Sequence, residues 1–424
     1  MTRNDTLKTD LNRYSRRQVL AAGTVAAAAI AGCTGSDEPA GDDESGETAD
    51  TEPPEQAQPN VELVENPPDV VYKPTHEEGM VMEPRIQAGD YTLLPHFTYE
   101  HTFWLMRGDG DPVEEAPTEP GVHLMFAVLD AETGEQLPLD IVSDMTVRQD
   151  GELVDRRDPW PMIAQSMGMH FGDNIPLEYG SYEVEVQLDP INARKTGAFE
   201  ERFEEGQTAT YTLEYDDETR RELIDGIEWR DEAEWGEPGA LDLLDHDGHG
   251  NHDQDDGHGD HDDSGAGDHD HPRMDLPPAE EYPGTDLGVH SSGDADFVVR
   301  HLEDSRLAED GDDYLLVSPR TPYNRIPLAD MSLSVAGDID GELVQTLDDE
   351  LGHHYGLAVD LDGVDSFEIV VETPPQVARH QGYETAFIEM PAMTVDVDAG
   401  EHEDGDDGEA EPEDESESES ESES

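Results

Sequence analysis

Two tandem β-sandwiches, joined and flanked by acidic disordered segments, are the all-β fold this 424-residue chain predicts. Three observations lead there. Runs such as 182–188 and 208–213 alternate apolar and polar residues with period two, as half-buried strands do. Turn residues, at 130–134 and at Asp150-Gly151, separate the runs at the spacing of antiparallel hairpins. Short motifs also recur in the same order in two regions of the chain. Asp90-Tyr91-Thr92-Leu93-Leu94 is echoed by 313–316, Gly151-Glu152-Leu153-Val154 by 341–344, 168–172 by 352–356, and 196–199 by 384–387. Four echoes in one order indicate two copies of one unit.

Taken from the N-terminus, residues 1–33 read as an export signal. Arg16 and Arg17 form a twin-arginine pair, and 19–31 is an apolar stretch too short for a span of ~20 residues. Ile30-Ala31-Gly32-Cys33 has the form of a lipoprotein cleavage box, with Cys33 the acylated residue. The expected location is therefore outside the cell membrane, tethered by lipid after export of a folded chain. Cys33 is the only cysteine, which excludes structural disulfides and cysteine-based zinc or blue-copper sites. Residues 34–62 are an acidic tether, 63–227 the first sandwich and 228–289 an acidic, His-rich linker. The second sandwich spans 290–398, and an acidic Ser-Glu tail fills 399–424. A short helix is expected at 216–226, capped by Asp217.

Charge sets the habitat and narrows the partners. The chain has 23 basic and 106 acidic residues, for a net charge of −83. Such a surface suits molar salt, where the Debye length falls to roughly 3 Å, so the protein reads as halophilic. Nucleic acid is excluded as a partner, because no basic stripe exists to neutralise phosphates. An anionic membrane would repel the chain, leaving the lipid anchor as its membrane attachment. No nucleophile elbow, phosphate loop, dinucleotide fingerprint or His-Glu-x-x-His pattern is present, and the expectation is that the protein is not an enzyme.

Histidines carry what chemistry there is. His170 and His354 each lie between glycines with an aromatic following, and Met162 stands upstream of the first. From Trp160-Pro161-Met162 to Gly168-Met169-His170-Phe171-Gly172-Asp173-Asn174, the segment resembles the Met-Pro-Met…Asp-Gly-Pro-His-Tyr-Gly-Ala-Asn signature of the extracytoplasmic iron-transport accessory family. Pro374-Pro375 followed by Arg379-His380 and Glu384-Thr385 is similar to that family's later Pro-Pro…Arg-His motif, and Val71-Tyr72-Lys73-Pro74 with Met82-Glu83-Pro84 to its opening strand. The resemblance covers about half of 65–215 and 310–390. It implies immunoglobulin-like sandwiches that bind copper or iron through Met, His and Glu, here in a haloarchaeal-type tandem member.

Carried over position by position, the resemblance makes Met162, His170, His354 and His380 metal ligands. The family's His-x-Glu strand has no clean match, and His96 and His101 are the nearest candidates. The first copy lacks the Arg-His pair, with 192–195 in its place; the second has Leu347 near where the methionine belongs. Two incomplete sets fit either one composite site in a covalent pseudo-dimer or a member that has lost its metal; a homodimer is the remaining association. Glycine-flanked histidines also serve plain turn geometry. Methionine with neutral imidazoles suits copper, or iron(II) when a carboxylate joins. In the linker, His246, His249, His252, His258, His261, His269 and His271 alternate with aspartate and glycine, a spacing that permits loose chelation of zinc or other divalent ions and equally suits a solvated linker. The expected function is metal binding in support of a membrane metal permease. The rival expectation is a cell-surface interaction lipoprotein with no functional metal.

Overall fold

A computed structural model describes residues 59, 61–108, 112–243, 275–308 and 312–397. Arg16, Arg17, Cys33 and the linker histidines His246, His249, His252, His258, His261, His269 and His271 lie outside the described residues, as do most of the tether and the tail. The described residues are all-β apart from one α-helix, Asp217–Asp225, and two 3-10 turns.

The first half stacks two sheets. One runs in the order Val81–Met82, Tyr91–Tyr99, Gly121–Asp130, Gly168–Pro176, Trp160–Ala164. The other runs Gln207–Tyr215, Gly180–Leu188, Val142–Gln149, Glu152–Arg157. Alternation decides which faces meet: Tyr182, Val184, Val186 and Leu188 point inward, against Leu93, Phe97, Leu124 and Phe126 from the facing sheet. Each such side chain contributes roughly 1.5–3 kcal/mol through burial. The strand Gly121–Asp130 is buried along its whole length, so its outward face is covered as well.

The second half repeats the plan with Thr285–Ser292, Ala295–Leu302, Asp313–Arg320, Gly352–Val359, Gly341–Asp348, Ser332–Gly337, Ser366–Thr373 and Met393–Asp396 in order. Here Gly341–Asp348 turns the corner between layers: Leu343 pairs with Leu333 on one side, and Thr346 with His354 on the other. The first half breaks the same strand in two, ending Glu152–Arg157 before Trp160–Ala164 begins. Asp158-Pro159 falls in the gap, where proline cannot donate to a ladder.

Each half lends a strand to the other. Ala378–Arg379, from the second copy, pairs in parallel with Met162 and Ile163 of the first, and Arg379 also pairs with Trp104. Reciprocally, Arg194–Thr196 pairs in parallel with Thr346, Leu347 and Asp348. The cores are exchanged too. Ile163 is buried in the second core, and Leu347 in the first. Met169 also packs into the second core, as core filler would.

These registers fix which residues of the copies correspond. His170 matches His354, as the glycine-flanked motif indicates, and 151–154 matches 341–344 in starting the corner strand. The other two echoes are displaced. Asp313–Arg320 takes the place of Gly121–Asp130, next to the His-bearing strand, and not that of Tyr91–Tyr99. Phe387 corresponds to Phe203: both have left-handed backbones, φ 59° and φ 58°, and each stacks on the ring four positions earlier, Tyr383 or Phe199. Short apolar words recur on neighbouring strands, so a local likeness does not fix which strand corresponds to which.

The helix forms where expected, with its cap one residue earlier. Asp216 Oδ1 accepts from the amides of Glu218 and Thr219 at 3.0 and 2.9 Å, satisfying two orphan donors of the first turn. Arg220 then reaches inward to grip Glu100 with both guanidinium nitrogens, at 2.6 and 3.1 Å. That buried pair pins the backbone immediately before His101.

Candidate metal centre

The outer face of the first sheet carries a knot of imidazoles from four separate segments. His123 lies on Gly121–Asp130, His170 on Gly168–Pro176, and His101 follows Tyr91–Tyr99. His380 arrives directly after the strand lent by the second copy. Its Nδ1 lies 3.1 Å from His101 Nε2, and its Nε2 lies 3.3 Å from His170 Nε2. The His101 and His123 rings are 4.3 Å apart. Among the described residues, His101, His123 and His380 form a group whose ligand-capable nitrogens all lie within 4.8 Å of one another. Met162 stands opposite His170 in the strand register and is fully buried.

Proton placement follows from the partners. A carbonyl oxygen can only accept, so His170 Nδ1 donates to Gly168 O at 3.1 Å and His101 Nδ1 to Tyr99 O at 3.2 Å. Asn174 is oriented by the backbone of His101, accepting from its amide at 3.3 Å and donating to its carbonyl at 2.8 Å. Its Oδ1 therefore also accepts from His123 Nδ1, at 3.0 Å. In the neutral rings the Nε2 atoms of His101, His123 and His170 thus carry lone pairs, and those of His101 and His170 face His380. His380 has one proton and two imidazole neighbours, both presenting lone pairs. One of its contacts sets lone pair against lone pair, which a cation would relieve. His123 Nε2 is buried with no hydrogen-bond partner.

Burial and the neighbouring imidazoles disfavour added protons on two of these rings. Desolvation, then His101, hold the His123 pKa well below its usual value; desolvation, then His101, His170 and His123, do the same for His380. A β-carbon placed on Gly172 would lie 2.8 Å from His123 Nε2 and 3.0 Å from Met162 Sδ, so glycine at this position lets imidazole and thioether pack together against the strand. Glu78 Oε1 lies 3.6 Å from His101 Nδ1 and supplies a carboxylate at the rim. A small cleft lined by His76, Glu78, Gln165, Leu241 and His380 leads in. Soft sulfur and imidazole nitrogen fit copper or iron(II).

Of the residues singled out from sequence, Met162, His170, His380 and His101 are brought together. His96 is buried on the neighbouring strand with its Nδ1 3.0 Å from Leu94 O, outside that trio of close nitrogens. His354 lies in the other half. Its Nδ1 donates to Gly352 O at 3.0 Å, and its Nε2 is 3.4 Å from the Tyr314 hydroxyl. The position matching Met162 is Thr346 by register, one residue before Leu347. His123, Glu78 and Asn174 were not singled out. His123 sits in a strand buried on both faces, where no alternation marks it. His76-Glu77-Glu78 has the His-x-Glu form, well before the 96–101 stretch where it was sought.

A family model described as a domain of unknown function, DUF7350, matches residues 280–396. No curated protein matches the chain. Among solved structures, the chain is similar to a copper-bound variant of FetP from a uropathogenic Escherichia coli strain, with 19% identity over 32% of this chain and 97% of that one, at a TM-score of 0.25. An "as isolated" FetP expressed in the periplasm of E. coli is 18% identical over 32% and 95%, also at 0.25.

Proposed function

We propose that this chain is an extracytoplasmic, lipid-anchored protein that captures copper or iron(II) and presents it to a membrane metal permease. The observation that supports this reading best is the delivery of His380, across the exchange of strands, into contact with His101 and His170. Buried imidazoles are ordinarily hydrogen-bonded; this set is short of protons and lies beside a thioether. The ion is cargo, and His101, His123, His170, His380 and Met162 are the residues that would hold it, with Glu78 at the entrance. The position of Cys33 after a small-residue box supports the lipid anchor, and the twin arginines support export of the folded chain. Among the described residues no helix is long and apolar enough to cross a membrane. The linker histidines, which begin at His246 soon after Leu243, would serve as a loose collecting tract, for zinc as well as the cargo ions.

Calorimetric titration of Cu²⁺ and Fe²⁺ in molar KCl tests the reading, using full-length chain with the linker histidines replaced by glutamine. A tight site that is lost in both His170→Ala and His380→Ala is expected. Absence of a tight site would leave the interaction-protein reading in its place.

A further inference from the structure

The strand registers define, inside one chain, a second pole equivalent to the metal centre. Its residues can be read off one by one. His354 occupies the place of His170. Tyr314 takes the place of His123, since 171 pairs with 126 as 355 pairs with 317 and both strands run on in step. Thr346 replaces Met162, and Asp348 replaces Ala164. Thr196 follows Lys195 where His380 follows Arg379, on the reciprocal lent strand. Of the imidazoles of His123, His170 and His380, one survives.

The space is filled as well as stripped of ligands. A β-carbon on Gly356, the counterpart of Gly172, would fall 2.1 Å from the Tyr314 ring, so a phenol packs on this glycine where imidazole and thioether pack on the other. The lone pair of His354 Nε2 faces the Tyr314 hydroxyl at 3.4 Å. Asp348, fully buried, accepts from Arg306 at 2.7 and 2.9 Å, from Thr196 Oγ1 at 2.5 Å and from the amides of Glu350 and Leu351 at 3.0 Å each. Arg194 lies over the Tyr314 ring, 5.5 Å from its centroid. Two guanidinium groups thus lie beside this pole, where their charge opposes a cation, and the buried Asp348 carboxylate is already satisfied.

We infer that this chain is a one-sided pseudo-dimer: it holds a single ion, at the His380 pole, while the opposite pole has become an ion-paired clasp that fastens the lent strand 194–196. The inference rests on the proposed metal-binding function and specifies its stoichiometry and its asymmetry.

Full-length chain, with the seven histidines between residues 246 and 271 replaced by glutamine, is loaded with Cu²⁺ in molar KCl and desalted. Retained copper is then counted by mass spectrometry. One copper per chain is expected, with none in His170→Ala and one still in His354→Ala. Two coppers per chain, with one lost in His354→Ala, would overturn the one-sided reading and leave metal binding intact. Failure to retain any copper, or retention unchanged in both His170→Ala and His380→Ala, would instead overturn the metal-binding function. Replacing the plug and clasp together (Tyr314→His, Thr346→Met, Thr196→His and Asp348→Ala) should add a second copper in any preparation whose circular dichroism matches the parent. A folded preparation that stays at one would show that the four positions are not what blocks the pole, and would overturn their assignment.

Discussion

Gly172→Ala adds one methyl group at the point where the metal centre is narrowest. Gly172 lies in ordinary strand backbone, so alanine meets no conformational penalty, and the effect is confined to what the β-carbon touches. It would lie 2.8 Å from His123 Nε2 and 3.0 Å from Met162 Sδ. Normal carbon contacts begin at about 3.5 Å, so the overlap is on the order of half an ångström on each side. His123 cannot yield, because Asn174 holds its Nδ1 and is itself held by the His101 backbone. Met162 has three rotatable bonds and must move, taking its sulfur away from the imidazoles. Loss of one well-placed ligand should weaken copper binding about 10- to 100-fold, with an overpacking cost of about 1–3 kcal/mol in stability. Competition titration against a copper chelator gives the first quantity, and urea unfolding of the metal-free protein the second. Gly356→Ala is the control: its methyl would strike the Tyr314 ring, destabilising the protein and leaving copper affinity alone. Unchanged affinity in Gly172→Ala would refute the Met162 sulfur as a ligand.

Three further outcomes follow from the buried charges. Burial, then Asp140, push the Asp330 carboxyl up to about 7. A folded-state pKa above the unfolded value near 3.9 gives stability that is complete below pH 4 and lost as pH rises through 7, so Asp330→Asn should stabilise by about 2–4 kcal/mol at pH 8 and by nothing at pH 4. Asp348 behaves in the opposite sense. Burial raises its pKa, but the hydrogen bonds of Arg306 and Thr196 outweigh this and hold it at about 2. Its contribution, of order 2 kcal/mol, is present above pH 4 and fades as pH falls toward 2, a dependence that should flatten in Arg306→Ala when unfolding midpoints are compared between pH 2 and 5. Arg220→Ala strands Glu100 in the interior and should cost about 3–5 kcal/mol in denaturant unfolding, with weaker copper binding because the chain before His101 is released.

The fold class was legible because the solvent-facing sheet of the first half alternates cleanly, as Tyr182 to Leu188 show. The doubling of the chain was legible in the glycine-flanked histidines. His170 and His380 stood out because each sits among residues with strong local character, glycine in one case and Pro-Pro with Arg379 in the other. His123 did not, since a strand buried on both faces reads as an unbroken apolar run and disguises a polar member. Glu78 was hidden for another reason: in a chain with 106 carboxylates, no single one draws notice until its neighbours are known. The exchange of strands left no local trace at all. Two parallel pairings of two and three residues are contacts between distant parts of the sequence, and periodicity carries no information about them.

The lent strands also impose an order of events. His170 and His380 are 210 positions apart, so the loop that joins them closes late and at an entropic cost that local strands escape. A growing chain that has reached only its first sandwich holds three of the four imidazoles and an open sheet edge beside Met162. The fourth comes with nearly the last strand to be made. Chains that stop short of His380, and halves that fail to exchange strands, therefore lack the fourth imidazole. A loaded centre would report that the molecule is whole.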